Sequence, residues 1–452
     1  MGPRVLVDAT GVPADRGALG RYVDGLVGAL SAEGADLAIA CQRADEERYT
    51  RMLPGARIVP GPPAIAHRPA RLAWEQSGLP LVAQQVAADV IHMPYYSMPL
   101  RPGRPTVVTM HDVTYFTESN QHAPVSASFF KSAMRTAARR ATRIIVPSKA
   151  TRDDVVRVLG TDAARIDVAY HGVDQQLFRR PSAAEVAAVA VRLGLHGRPY
   201  VAYLGSLAAR KNVAALVAGW ASAVAGLDDP PALVLAGGGG WSDEVDAAVA
   251  QVPPQLRVVR PGYLPFRDLS GFYGGALVVA FPSRGEGFGL PVLEAMACGA
   301  PVLTTHRTSL PEVGGEAVAY TEPEAPAIGA ALRDLLTTPS RRAALGEAGH
   351  ARAREFSWAA SASAHVASYR KATEDSSGGV AASLHDVRAI LASITAHNST
   401  VILAVRQYQA RDVSMLRGLP RCGIAAMPGQ VTDCSCLLDL LDKSLVTPHS
   451  WG

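Results

Sequence analysis

The chain has 452 residues, 48% of them apolar and 19% charged; that length exceeds one ordinary core and predicts two domains of roughly 150–200 residues. A net charge of +4 gives no bulk case for nucleic acid as a partner. Five irregularly spaced cysteines give neither a disulfide framework nor a zinc site, and no stretch of about 20 apolar residues is long enough to cross a bilayer.

The N-terminus enters an apolar run at once, Val5–Val7, without the charged and apolar regions of a secretory leader. The expected location is therefore cytoplasmic, including the inner face of the plasma membrane. Leu37–Ala40, Val90–His92, Thr106–Met110 and Arg143–Pro147 follow as buried strands, with helices such as Leu19–Leu30 and Ser126–Ala141 between them. Short apolar runs alternating with helices are the pattern of a doubly wound parallel sheet. A second alternation places strands at Tyr200–Leu204, Ala232–Ala236, Arg257–Val259, Leu277–Phe281 and Pro301–Thr304. The reading is α/β: an N-terminal Rossmann-like domain over 1–180, a C-terminal one over 190–355, a helix over 356–373, and an appended, poorly packed tail over 374–452.

Five segments carry chemistry. Asp15-Arg16-Gly17-Ala18-Leu19-Gly20-Arg21-Tyr22 is a strand-to-helix turn without the dinucleotide fingerprint or the P-loop ending. Thr106–Met110 ends in His111-Asp112, where a histidine can donate to a substrate or simply be structural. Ser126–Thr142 reads as an amphipathic helix with Lys131, Arg135 and Arg139 in a row. Such a helix suits either an ordinary surface or peripheral contact with an anionic membrane. After Tyr200–Leu204 come Gly205 and then Arg210-Lys211-Asn212, with Asn212 placed to cap the next helix. Two cations at a helix start oppose its dipole, a cost that a diphosphate would relieve without a metal; a solvated loop pair has the same sequence pattern.

The fifth segment runs from Leu277 to Gly299. Ser283-Arg284-Gly285-Glu286-Gly287-Phe288-Gly289-Leu290-Pro291 is a glycine turn opening a helix that carries Glu294 and stops at Gly299. Its glycines allow close backbone approach to a ligand. Its two carboxylates suit hydroxyl pairs on a sugar and a ribose, although a helix-start carboxylate and a solvated one would read alike.

Together these segments resemble the retaining glycosyltransferases of the GT-B fold, two facing Rossmann-like domains with a central cleft, and in particular their family-four branch. Gly205 with Arg210-Lys211-Asn212 is similar to that family's phosphate-gripping motif. Glu286 and Glu294 are similar to its paired glutamates, and Thr308-Ser309-Leu310-Pro311-Glu312-Val313 to its next segment. The resemblance covers roughly 4–372. It implies His111, Arg210, Lys211 and Glu286 as catalytic, and Gly17, Gly20, Gly205, Gly287, Phe288, Gly289, Leu290 and Glu294 as substrate-binding. It implies transfer of a hexose from a nucleotide sugar to a glycan or lipid-linked acceptor, with no cofactor and no metal. Trp74-Glu75-Gln76, Leu79-Pro80 and Asp89–Pro94 resemble members that use GDP-mannose. Nucleotide-sugar epimerases and silent sugar-nucleotide-binding subunits share the architecture. Two departures stand out: Ala18 occupies a place where the family often has glycine, which would strain a positive φ there, and His171 precedes Gly172-Val173-Asp174 where the family often has Asn.

Overall fold

The computed structural model describes residues 2–118, 124–238 and 243–375. Calls on the long tail beyond 375 lie outside the described residues.

The first sheet contains β1 (Val5–Asp8), β2 (Leu37–Cys41), β3 (Arg57–Pro60), β4 (Val90–Met93), β5 (Thr106–Thr109), β6 (Arg143–Val146) and β7 (Ile166–Val168). They lie in the order β3-β2-β1-β4-β5-β6-β7, every neighbouring pair parallel. The second sheet contains β8 (Tyr200–Leu204), β9 (Ala232–Ala236), β10 (Val258–Gly262), β11 (Val278–Phe281), β12 (Val302–Thr305) and β13 (Ala319–Thr321), in the order β10-β9-β8-β11-β12-β13 and again all parallel. Helices cover both faces, so the central strands are buried throughout, and full burial of each Val, Leu or Phe contributes about 1.5–3 kcal/mol.

Three strands escape the sequence pattern: β3, β7 and β13. Each lies at a sheet edge, spans three or four residues and carries polar or half-buried side chains, so none makes an apolar run. β10 begins one residue after the expected Arg257 and runs past the expected Val259 to Gly262, with an irregular register to β9.

In each sheet the strand order reverses beside the first strand, between β1 and β4 and between β8 and β11. Ligands of open α/β sheets bind in the crevice outside the carboxyl ends at such a switch point. Arg210-Lys211 follows β8 and Glu286 follows β11, which puts them at the switch point of the second sheet.

The last described helix, Trp358–Asp375, returns to the first domain. Trp358 fits against Gly25 and Gly172, where a Cβ would come within 2.2 Å of its ring and 2.1 Å of its backbone nitrogen. A buried polar chain secures this helix. Tyr369 Oη contacts His92 Nδ1 at 2.8 Å, His92 Nε2 contacts Thr109 Oγ1 at 2.8 Å, Thr109 Oγ1 contacts Tyr22 Oη at 2.8 Å, and Tyr22 Oη contacts His365 Nε2 at 2.9 Å. His365 Nδ1 lies 2.7 Å from the Ser361 carbonyl, which can only accept, so with neutral rings every proton in the chain is assigned from that end. Burial holds both well below the usual imidazole value, His365 at about 4.

The helix Pro124–Arg140 is amphipathic, but Phe130, Met134, Ala137 and Ala138 pack into the first domain's core. What faces outward is the cationic row, with Lys131 and Arg135 also lying over the Phe116 ring at 6.0 and 5.0 Å. No described helix is long and apolar enough to cross a membrane.

Candidate active site

The loop after β8 and the loop after β11 are tied together. Asn212 has a left-handed backbone, φ 62°, and does not cap the following helix. Its Nδ2 instead donates to the carbonyls of Pro282 at 3.2 Å and Pro323 at 2.6 Å, which fixes the amide between the two loops. The Arg210 carbonyl accepts from Arg284 N at 2.8 Å.

This zipping brings the sequence-predicted residues into a triad. Lys211 Nζ donates to Glu286 Oε1 at 2.7 Å, and Arg210 Nη1 lies 3.1 Å from Glu286 Oε2 while donating to the Gly285 carbonyl at 3.0 Å. Burial pushes Glu286 up, but Lys211 and Arg210 outweigh it and pull the carboxyl down to about 2. Burial and the neighbouring Arg210 lower Lys211 to about 8, although Glu286 opposes them. The two cations thus meet their counter-charge within the chain, so their cost is partly offset before any ligand enters. Within the triad two cations share one carboxylate, and Asp112 and Glu118 add negative charge nearby.

Glu294 is buried. Tyr273 Oη donates to its Oε2 at 3.2 Å, and Arg21 Nε of the first domain lies 2.9 Å from its Oε1. Burial raises the Glu294 carboxyl, while Arg21 and Tyr273 lower it.

His111 Nε2 is 2.8 Å from the Pro94 carbonyl. The carbonyl can only accept, so Nε2 carries the proton, and burial keeps the ring neutral by lowering its value. That leaves Nδ1 as an acceptor, whereas the sequence alone suggests a donor.

The glycine turn lies against the first domain. A Cβ on Gly287 would come 1.7 Å from the His111 carbonyl oxygen, so only glycine fits there. The Gly287 carbonyl accepts from Ser148 Oγ at 2.7 Å and Thr151 Oγ1 at 3.0 Å. Glu312 reaches across the same seam to the backbone N–H groups of Lys149 at 2.9 Å and Ala150 at 2.7 Å and to the Tyr170 hydroxyl at 2.9 Å. Gly289, at φ 106°, opens the helix Leu290–Ala297. Phe288 and Leu290 are buried, and Phe288 packs on His171 at 5.0 Å between ring centroids; both side chains shape the loop from within.

Gly205 sits beside Gly237, whose Cβ would come 2.0 Å from the Gly205 carbonyl oxygen. Near β1, Ala18 lies inside the helix Gly17–Ala32 and is unstrained, because the left-handed residue is Arg16, φ 61°. Arg16 is buried between Asp24 at 2.5 Å and Asp45 at 2.8 Å, and Gly20 leaves room for it, since a Cβ there would lie 2.7 Å from the Arg16 Cβ. His171 is buried, its Nδ1 without a hydrogen-bond partner among the described residues, and it stacks on Trp358 at 5.9 Å.

Arg21, Glu118 and Glu312 were missed as site residues in the sequence. Glu118 has a buried Oε2 without a hydrogen bond among the described residues, and burial raises its carboxyl while Arg210 lowers it. Arg21 and Glu312 fall within segments noted above without a role of their own, and Glu118 falls in none; each meets a partner in the other domain. Among the described residues no cluster of His, Cys, Asp and Glu is arranged to hold a metal ion.

Residues 191–352 match the family described as glycosyl transferases group 1, and residues 19–177 match glycosyltransferase family 4. The O-antigen chain mannosyltransferase B of Escherichia coli is 31% identical over 271 residues, 60% of this chain and 71% of that protein. A D-inositol 3-phosphate glycosyltransferase of Segniliparus rotundus is 32% identical over 255 residues, 54% of this chain and 55% of that one. Among solved structures, the sucrose-phosphate synthase of Thermosynechococcus elongatus superposes with a TM-score of 0.66 at 24% identity, covering 82% of this chain and 99% of that one. Anabaena HepE in complex with UDP-glucose gives 0.63 at 17% identity, covering 83% and 100%. At these identities the structural likeness shows the fold alone.

Proposed function

The chain belongs to the family-four glycosyltransferases of the GT-B fold, and on that premise we propose that it moves mannose from GDP-mannose to a glycan or lipid-linked acceptor with retention of configuration. The observation that carries this reading is the Arg210–Lys211–Glu286 triad at the switch point of the second sheet, with Glu294 on the helix that follows. Arg210 and Lys211 take the charge that develops on the departing diphosphate, a preorganised stabilisation that needs no divalent ion. Glu286 and the backbone of Gly287–Gly289 receive the sugar, Glu294 receives the ribose hydroxyls, and Nδ1 of His111 accepts from a sugar hydroxyl. The acceptor oxygen attacks the anomeric carbon from the face the diphosphate leaves, as the family resemblance implies.

Mannose is supported by the mannosyltransferase among the relatives and by the segments around Trp74 and Asp89. A nucleotide sugar is supported by the UDP-glucose bound in a structural neighbour. The acceptor comes to the first domain, whose outward cationic row, Lys131, Arg135 and Arg139, suits an anionic leaflet; because the apolar face of that helix is internal, the contact is electrostatic. Equal sedimentation with neutral and anionic vesicles would remove it.

The deciding experiment is hydrolysis across a panel of nucleotide sugars in EDTA. A transferase leaks slow hydrolysis of its own donor, whereas an epimerase interconverts sugars and a silent subunit only binds. Wild-type rates from both Arg210→Ala and Glu286→Ala would end the proposal.

A further inference from the structure

Glu294 is the carboxylate assigned above to the ribose hydroxyls, and it is completed by a residue of the other domain. Arg21, in the helix Gly17–Ala32, reaches over the cleft so that its Nε lies 2.9 Å from Glu294 Oε1. The N–H does not point at that oxygen, and the buried Nε has no other acceptor among the described residues, so the contact is a charge pair rather than an aligned hydrogen bond. Tyr273 of the second domain holds the other oxygen. A carboxylate has about four acceptor positions. With one filled by Tyr273 and Arg21 standing beside the other oxygen, positions remain for both hydroxyls of a ribose. The Glu294 side chain is 2% exposed and that of Arg21 is 21% exposed. A buried carboxylate held by one phenol alone would be drawn toward protonation, and a protonated acid accepts poorly. Arg21 opposes that charge cost. Beside it Tyr263, half exposed on the loop after β10, donates to the Asp15 carbonyl at 3.3 Å, a second contact across the same mouth of the cleft.

We propose that Arg21 is a positioning residue of the donor site, holding Glu294 ionised and oriented for the ribose hydroxyls, so that the nucleotide is gripped fully only when the two domains meet. The inference rests on the nucleotide-sugar reading and deepens it. Its consequence is specific: loss of Arg21 weakens the ribose contact and leaves the diphosphate and base contacts in place.

The test is calorimetric titration of the full chain with GDP, UDP and ADP, followed by the tightest binder and its 2′,3′-dideoxy form against wild type, Arg21→Gln, Arg21→Lys and Glu294→Gln. Arg21→Gln should weaken the ribonucleotide about tenfold or more, the scale of about 1.4 kcal/mol, and change the dideoxy form by less than about twofold. Arg21→Lys, which keeps the charge and folds like the wild type, should recover part of the loss. Arg21→Gln added to Glu294→Gln should cost nothing further. Equal loss on both nucleotides, as a structural or diphosphate role would give, overturns the inference, and so does no loss on either. Failure of the wild-type chain to bind any of the three diphosphates would overturn instead the nucleotide-sugar reading beneath it.

Discussion

Glu286→Gln removes one negative charge from between two buried cations and leaves the shape almost unchanged. In the wild type the carboxyl falls from 4.5 to about 2, which favours its ionised form by about 3 kcal/mol, while the ammonium of Lys211 falls from 10.5 to about 8, about 3 kcal/mol against its charged form. Arg210 is itself held in its charged form by the same carboxylate, so the three effects share one set of contacts and give no separate net for the triad. Breaking a buried pair by removing one partner is a different matter and costs about 3–5 kcal/mol. The variant should therefore melt about 5 °C or more below the wild type. A nucleoside diphosphate supplies the missing counter-charge. Saturating GDP, worth about 2.7 kcal/mol at a hundred times its Kd, should raise the variant's Tm by more than it raises the wild type's. Sugar turnover should fall about a hundredfold or more, because the group that receives the sugar is gone. Scanning fluorimetry with and without GDP, and donor hydrolysis, read the three quantities. A GDP shift no larger than that of the wild type, together with wild-type turnover, would refute the reasoning.

Because Lys211 sits at about 8, its charge is present below that pH and is lost as pH rises through it; kcat/KM for the donor should decline above pH 8, and Lys211→Arg should extend the plateau, whereas a flat wild-type profile to pH 9.5 would exclude Lys211 as the charge carrier. Gly287→Ala drives a Cβ against the His111 carbonyl, and since displacements of about 1 Å near the chemistry cost about a hundredfold, turnover should fall at least that far with an unchanged circular dichroism spectrum; normal turnover would mean that the seam does not form during catalysis. Glu75 is buried, and burial with the nearby Asp8 raises it to about 8, although Ser97, Gln76 and Arg71 oppose the rise. Its folded value lies above its unfolded one, so its contribution is fully present below pH 4.5 and is lost as pH rises through 8. Glu75→Gln should match the wild-type Tm near pH 4 and exceed it by several degrees at pH 9, and curves that stay parallel across that range would show that Glu75 is ionised in the fold.

Much of the architecture was legible in the sequence because it is written locally. A central parallel strand is buried on both faces and is apolar along most of its length, so β1, β2, β4, β5, β6, β8, β9, β11 and β12 declare themselves within a residue or two of their observed bounds. Edge strands obey no such constraint, and β3, β7 and β13 stayed silent. The donor segments were also visible, since a strand, a glycine turn and a helix start are contiguous in the chain. What no local pattern holds is which charge meets which. Glu286 neutralises Arg210 and Lys211 only because β8 and β11 are neighbours in the sheet. His111 accepts rather than donates only because the Pro94 carbonyl claims its one N–H. The left-handed turn near β1 falls on Arg16, held by Asp24 and Asp45, and so spares Ala18. Two doubly wound domains and the residue types of the candidate donor site can be read along the chain; the pairing of those residues cannot, because it is set by neighbours in space, and Arg21 and Glu294 become neighbours only once both domains have folded and met.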